Sequence, residues 1–201
     1  MIFYYTNSVE PGGIQTVARL STGGFVSGSI VPNDVLNEIF SNISLNTETN
    51  TQYRLLALKN TLPNTVDNIV MKFYLNEDII SQFEVALVLP ALDKCNDYVF
   101  EKIASQYSKP MTGQFQIVSD GLQIDGGSLD PGAVLGVWLC RKFDVEGNPV
   151  KSCEELGEDY NNEVVVEKED DIQINVMWDD AESVSSSASV SVSVSSSASA
   201  L

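Results

Sequence analysis

The chain has 201 residues, of which 28 are Asp or Glu and 11 are Lys or Arg; it contains no His, and its formal net charge is −17. Nucleic acids and anionic membrane surfaces are bound through clustered Lys and Arg, so this balance argues against both as partners. The absence of His excludes Ser-His-Asp and Cys-His catalysis, and it excludes zinc sites that use His ligands.

The N-terminal part of the chain is predicted to be extended and interrupted by turns. Residues 2–5 are a short, aromatic strand candidate, and residues 14–20 are a second one, bounded on both sides by glycine pairs. Apolar residues recur at helical spacing within residues 35–43, after a capping residue at Asn33 or Asp34. This third segment is therefore predicted to be a helix of about two turns.

The middle and end of the chain have the clearest strand patterns. In residues 66–75, Ile69, Met71 and Phe73 occupy alternate positions, which is the period of a strand with one buried face. Turn-forming Gly, Pro, Asn and Asp residues separate this segment from its neighbours. The further candidate strands are residues 53–59, 79–89, 115–119, 121–124, 133–143, 164–168 and 171–178.

One helix is predicted among these strands, at residues 96–107. Phe100, Ile103 and Tyr107 lie on one face of that helix, and Pro110 follows its end. Many short strands with frequent turns and no βαβ rhythm are typical of an antiparallel β-sandwich. The predicted fold class is therefore mainly β, with one inserted helix.

Charge and composition divide the chain into two predicted parts. Residues 1–143 have a net charge of −5, residues 144–182 have −12, and residues 183–201 have no charged side chain. We predict a β-sandwich domain over residues 1–182 and a Ser/Val/Ala low-complexity C-terminal arm over residues 183–201.

The C-terminal arm has an unusual two-residue period. Every odd position from Ser185 to Ser199 is Ser, whereas most even positions are Val or Ala. A strand places alternate residues on opposite faces, so an extended arm would have one hydroxyl face and one small, mostly apolar face. A lone strand exposes unpaired backbone. We therefore expect the arm to be disordered in an isolated monomer and to pair with another copy or a neighbouring subunit in an assembly.

One acidic set deserves comparison with known metal loops. Asp120, Asp125 and Asp130 are spaced five residues apart in a glycine-rich stretch, and calcium binds carboxylate and carbonyl oxygens in such loops. Their spacing is not that of an EF-hand loop. Asp is also a common turn residue that bonds its own backbone, which is the favoured interpretation. No metal ligand is therefore assigned.

The aromatic and sulfur-containing residues give no assigned site either. Tyr4, Tyr5, Trp138 and Trp178 could stack against a sugar, but their strand patterns favour core or interface positions. The cysteines, at positions 95, 140 and 153, are odd in number and irregularly spaced, which favours reduced thiols over a disulfide framework. A single bridge between Cys140 and Cys153 stays open.

The sequence contains no recognisable catalytic motif. It lacks a nucleophile elbow, a phosphate-binding loop and a dinucleotide fingerprint, so no catalytic or cofactor-binding residue is assigned and the chain is expected not to be an enzyme. It also lacks an apolar stretch of membrane-spanning length and a basic, apolar leader. We therefore expect no transmembrane helix and no signal peptide.

Five segments of the chain form one ordered set of strand and turn motifs: YRLLALKNT at 53–61, NIVMKFYL at 68–75, LDPGA at 129–133, GVWLCRK at 136–142 and DDIQINV at 170–176. Taken together, they resemble segments of virion structural proteins of tailed bacteriophages that contain an immunoglobulin-like β-sandwich. The resemblance implies that fold and a non-enzymatic role as a capsid decoration, head-fibre or tail-associated protein. It implies other virion proteins and copies of the same chain as partners, and a location in the virion after synthesis in the host bacterial cytoplasm.

A surface adhesin or carbohydrate-binding module is the alternative from another functional class. It requires an exposed aromatic platform and, in many designs, a bound calcium ion. The resemblance assigns no active-site residue.

Overall fold

The computed structural model describes residues 1–17, 20–32, 36–37, 40, 51–75, 82–142, 172–180 and 188–195, and it contains no α-helix among them. No helix in this part of the chain has the length and apolar character needed to cross a membrane. The strands are β1 (Ile2–Asn7), β2 (Gly24–Ile30), β3 (Leu36–Asn37), β4 (Thr51–Lys59), β5 (Val66–Leu75), β6 (Gln82–Val88), β7 (Ala91–Leu92), β8 (Tyr98–Phe100), β9 (Gln116–Ile117), β10 (Gln123–Leu129), β11 (Val134–Lys142), β12 (Ile172–Asp180) and β13 (Ala188–Ser195).

The larger sheet has eight strands in the order β7-β8-β2-β1-β4-β11-β6-β9, and all neighbours are antiparallel. Its centre is the β4–β11 pair, which is in register over nine residues from Val134 opposite Lys59 to Lys142 opposite Thr51. Both outermost strands, β7 and β9, have two residues each. Short edge strands expose few unpaired backbone groups, so this sheet presents little edge for a further strand.

The smaller sheet has five strands in the order β10-β5-β12-β13-β3. Its neighbours are antiparallel except for β13 and β3, which are parallel. The outer strand β10 has register shifts between Asp125 and Gly127 and between Gly127 and Leu129. Such bulges twist an edge and disfavour pairing with another strand.

The two sheets share one hydrophobic core. Leu56 and Leu58 of the larger sheet and Met71 and Phe73 of the smaller sheet are fully buried in the same cluster, together with Ile174. The alternation predicted for residues 66–75 is therefore explained by one face of β5 that points at the other sheet.

A second core covers the opposite face of the larger sheet. Leu55 and Trp138 are fully buried there, beneath Phe100, Ile103 and the partly buried Phe115. Phe100 of β8 and the irregular segment 101–115 form this cover. The central strands β4 and β11 are therefore buried on both faces, which is why their sequences are nearly continuous apolar runs.

The helix predicted over residues 96–107 is wrong. Residues Tyr98–Phe100 form β8, and the chain beyond them is irregular. Two of its backbone bonds go to distant segments: the Ile103 N–H donates to the Thr22 carbonyl at 3.1 Å, and the Gln106 carbonyl accepts from the Tyr53 N–H at 2.8 Å. The helical spacing of apolar residues thus records which side chains face the sheet beneath.

Two predictions in the N-terminal part also fail where the structure describes them. Residues 14–17 form no strand, and their backbone is held by hydroxyl groups: the Gln15 N–H donates to Ser27 Oγ and Ser29 Oγ at 3.1 and 3.2 Å. The helix predicted over 35–43 is wrong at Leu36–Asn37, which form β3, and most of that segment lies outside the described residues.

The remaining strand predictions are largely confirmed. Those for residues 2–5, 53–59, 66–75 and 133–143 match β1, β4, β5 and β11 within about two residues, and the prediction for 171–178 matches β12. The candidates at 79–89, 115–119 and 121–124 contain shortened or shifted strands, and β2 was not predicted. The strand predicted at 164–168 lies outside the described residues.

Part of the C-terminal arm is a strand of the smaller sheet. Residues Ala188–Ser195 form β13, which pairs antiparallel with β12 of the same chain. The strand period of the arm is confirmed for these residues, and their partner strand is internal, whereas the sequence predicted a partner in another copy. The domain division at residue 182 stays a prediction.

Candidate functional site

The tryptophans that could have formed a sugar platform lie in the two cores. Trp138 is fully buried on the outer face of the larger sheet, and Trp178 is 6% exposed between the sheets. Tyr5 is buried in the same inter-sheet core. Tyr4 points the other way and is half-buried, because neighbouring residues of β1 lie on opposite faces.

The three spaced aspartates have separate hydrogen-bond partners. Asp120 accepts a hydrogen bond from the Leu75 N–H at 3.2 Å, and Asp125 accepts one from the Gly127 N–H at 2.8 Å. Asp130 accepts from the Thr65 hydroxyl at 2.8 Å. The described residues contain no group of three or more Cys, Asp or Glu side chains that could hold a metal ion. Of the three, Asp125 bonds the backbone of its own bulge, as expected of a turn residue, whereas Asp120 and Asp130 bond segments that are distant in sequence.

The cysteines lie in unlike surroundings. Cys95 is an exposed free thiol in the turn before β8, and Cys140 is a buried free thiol in β11. Burial, followed by the nearby Glu84 carboxylate, raises the pKa of Cys140 from 9.0 to about 12. A thiol with such a pKa is protonated near neutral pH and is a poor nucleophile. Cys153 and its suggested bridge to Cys140 lie outside the described residues.

The resemblance motifs meet at one corner of the fold, where the chain passes twice between the sheets. Asn60 directly follows β4 and is fully buried. Its side-chain amide donates to the carbonyls of Asn64 at 2.8 Å and Leu129 at 2.9 Å, and its Oδ1 accepts from the Leu62 N–H at 2.9 Å. One side chain therefore holds both the β4–β5 connection and the end of β10.

Backbone hydrogen bonds also join the two connections at this corner. The Gly132 N–H donates to the Asn60 carbonyl at 2.9 Å, and the Asn60 N–H donates to the Ala133 carbonyl at 2.9 Å. Gly132 has φ +79°, a conformation that side chains with a Cβ rarely adopt, which explains glycine in the Asp130-Pro131-Gly132 turn. Sequence analysis recognised both turns but gave no reason to expect that they touch.

Two buried arginines within the resemblance motifs flank one aromatic ring. The guanidinium carbons of Arg54 and Arg141 lie 5.5 and 5.2 Å from the centre of the Phe40 ring. Arg54 also donates to the Tyr53 carbonyl at 2.7 Å and to the Gln106 side chain at 2.5 Å. Cation–π contacts of this kind strengthen when water is excluded. These arginines therefore contribute to packing at the end of the sheets.

A cleft of about 260 Å³ opens on the outer face of the larger sheet, beyond the cover formed by 101–115. Tyr4 of β1, Lys59 of β4, and Asp97 and Tyr98 are among the residues that line it. Within the described residues, the Lys59 ammonium and the Asp97 carboxylate have no ion-pair partner. The cleft thus combines two tyrosine rings with one donor and one acceptor of opposite charge.

Another part of the cleft lining is fixed by a close backbone contact. The Pro11–Gly12 turn lies directly on β2, where the Gly28 N–H donates to the Gly13 carbonyl at 3.2 Å. A Cβ atom at Gly28 would lie 2.6 Å from the Gly12 carbonyl oxygen. Only glycine at this position permits the turn to approach so closely.

No protein-family model matches the chain, and no curated protein is significantly similar to it in sequence. The resemblance to phage virion proteins therefore stays a prediction, based on the segments quoted above.

Proposed function

We propose that the protein is a non-enzymatic structural component of a tailed-phage virion, built on an immunoglobulin-like β-sandwich and acting through protein–protein assembly. The observation that supports this most directly is the position of the resemblance motifs. Lys59-Asn60-Thr61 and Asp130-Pro131-Gly132 form the buried corner, and the Tyr-Arg and Val-Trp-Leu segments form the central β4–β11 pair. Their roles are to hold the two sheets.

The charge distribution is consistent with a protein that is present in many copies. A net charge of −17 keeps free copies apart in solution, because like-charged molecules repel at long range. The uncharged arm adds nothing to that repulsion, so it is the segment that another copy can approach most readily.

Mass spectrometry of purified particles tests this proposal. We expect the protein in particles of the phage that encodes it, at many copies per particle. A phage with Asn60→Ala should package less of the protein than a phage with Asn64→Ala, since Asn64 contributes only its backbone carbonyl to the corner. Abundant protein in infected cells with none in washed particles would overturn the proposal.

A surface binding module is the second candidate function, and the cleft favours it. Tyr4, Lys59, Asp97 and Tyr98 offer aromatic surface with a hydrogen-bond donor and an acceptor, which suits a saccharide. A glycan array distinguishes the two candidates. Binding that Tyr98→Ala abolishes and Tyr107→Ala preserves would support the module, because Tyr107 is exposed outside the cleft.

A further inference from the structure

The two-residue period of the arm matches the register in which β13 pairs with β12. Opposite residues in the pair include Val194 and Ile172, and Ser189 and Met177. In this register Ala or Val stands opposite each buried apolar residue of β12, and Ser stands opposite each residue between them. The pairs are Ile172–Val194, Gln173–Ser193, Ile174–Val192, Asn175–Ser191, Val176–Val190, Met177–Ser189 and Trp178–Ala188.

A shift of β13 by two residues changes this match very little. The residues opposite Gln173, Asn175 and Met177 remain Ser after a shift in either direction, because all odd positions from 185 to 199 are Ser. Of the four positions opposite the buried residues of β12, three remain Val or Ala. The fourth becomes Ser, opposite Ile172 in one direction and opposite Trp178 in the other.

A shift by one residue has the opposite effect. It would set the row of serines opposite the buried Ile172, Ile174 and Val176, and it would set Val opposite the positions between them. Side chains directly across a strand pair share a face, so a one-residue slip exchanges the two faces of the strand. The alternation of β13 is therefore strongly specified, whereas its position along β12 is weakly specified.

Weakly specified strands are prone to alternative pairing and to domain swapping. The edge of β12 is the same in every copy of the chain, so a second copy offers β13 an equivalent partner. Seven residues, 181–187, connect the two strands, and an extended connection of that length reaches about 24 Å. Exchange of an identical element between protomers is a low-cost route to dimers.

We propose that β13 is an exchangeable strand, which pairs with β12 of a second copy of the chain in the same alternation as with its own β12. This inference rests on the proposed assembly function for its purpose, since a particle holds many copies close together and raises their effective concentration. The exchange itself can be measured with the purified protein alone.

Disulfide cross-linking of mixed variants tests the exchange. One protein has Met177→Cys and a size tag, and the other has Ser189→Cys; both also have Cys95→Ser and Cys153→Ser. Opposite residues of a strand pair have Cα atoms about 4.5–5.5 Å apart, within the range of about 4.4–6.8 Å that a disulfide spans. We expect a mixed disulfide dimer after incubation at roughly 0.5 M salt, which screens the repulsion between acidic copies.

In the matched control, Val190→Cys, the cysteine lies one position further along β13. It then belongs to the set of alternate positions that stand opposite the buried residues of β12. We expect it to give at least about tenfold less mixed dimer with Met177→Cys, whereas Ser187→Cys and Ser191→Cys should come within about threefold of Ser189→Cys. A Val190→Cys yield equal to that of Ser189→Cys would overturn the proposal.

A double variant, Met177→Cys with Ser189→Cys in one chain, completes the test. If this chain forms the disulfide within itself while the mixed pair gives no more dimer than the control, β13 stays in its own chain and the proposal is wrong. If neither disulfide forms, the β12–β13 register itself is wrong, which also overturns it. Particle mass spectrometry is independent of these results, so failure here is distinguishable from failure of the virion function.

Discussion

Asn60 and Gly132 bond each other through their backbones across the two connections that join the sheets, with the Gly132 N–H 2.9 Å from the Asn60 carbonyl oxygen. Asn60 is fully buried and its side chain makes three further hydrogen bonds. A single amide side chain therefore satisfies three backbone groups that would otherwise lose their partners, and its bond to the Leu129 carbonyl is fully buried.

Substitution of Asn60 by Ala should destabilise the fold strongly. The change leaves the carbonyls of Asn64 and Leu129 and the Leu62 N–H without their partner, and each buried unsatisfied group costs about 1–3 kcal/mol. Because water can reach part of the vacated site, we expect a loss of about 2–4 kcal/mol in the free energy of unfolding. Urea denaturation measures it, with Asn64→Ala as the control; equal stability of both variants would contradict this account of the corner.

The tryptophans should behave as core residues. Trp138→Ala and Trp178→Ala each remove a large buried ring, and such changes cost about 3–5 kcal/mol. Tyr107→Ala removes a ring that is 42% exposed and should change stability by less than about 1 kcal/mol. Thermal unfolding followed by near-ultraviolet circular dichroism compares the three. A Trp138→Ala protein as stable as the parent would count against the packing described for the outer core.

Alkaline pH should destabilise the protein through Cys140. Because burial raises the pKa of this thiol from 9.0 to about 12, the unfolded chain loses the proton first as the pH rises. The contribution of the thiol is fully present below pH 9 and is lost as the pH rises towards 12. The expected slope is at most about 1.4 kcal/mol per pH unit in that interval.

Urea denaturation between about pH 7 and pH 10.5 measures this slope. Cys140→Ala should reduce it, whereas Cys95→Ser should leave it unchanged because Cys95 is exposed. Burial also raises the pKa of the adjacent Tyr53 phenol, so some alkaline destabilisation should remain in Cys140→Ala. A slope that is identical in all three proteins would contradict the assignment.

Deletions in the arm should depend on whether their length is odd or even. Removal of Ser191 and Val192 together preserves the alternation of β13, and amide hydrogen exchange in β12 should remain within about threefold of the parent. Removal of Ser191 alone shifts half of the strand by one position and should weaken the pairing by about 1–2 kcal/mol. Equal protection of β12 in both deletions would show that alternation does not govern this pair.

Some strands could be identified from the sequence because one of their faces is buried and the other is more exposed. In β5, Ile69, Met71 and Phe73 face one core and the residues between them are more exposed, so the period is visible in the sequence. In β2, Ser27 and Gly28 interrupt any such period, because Ser27 anchors the preceding turn and Gly28 permits the close approach of Gly12. The contacts that make β2 a strand therefore produce no recognisable period in the sequence of β2 itself.

The helix at residues 96–107 failed for a related reason. Phe100 and Ile103 have the spacing of one helix face, yet they reach the same sheet surface from the end of β8 and from the irregular chain that follows it. Spacing reports which side chains are buried and does not report how the backbone between them is bonded. The cleft escaped prediction because Tyr4, Lys59 and Tyr98 come from three strands that only the folded chain brings together.

The two-residue strands that end the larger sheet also bear on the proposed exchange between copies. A second molecule that approaches β7 or β9 finds few free backbone groups, and β10 is distorted by its bulges. In a mutual exchange of β13, each of two copies would give its own β13 and receive that of the other, which leaves a closed pair. The proposed exchange would therefore give a finite partnership and not an endless fibre, and the number of copies in an array would be set by its other components.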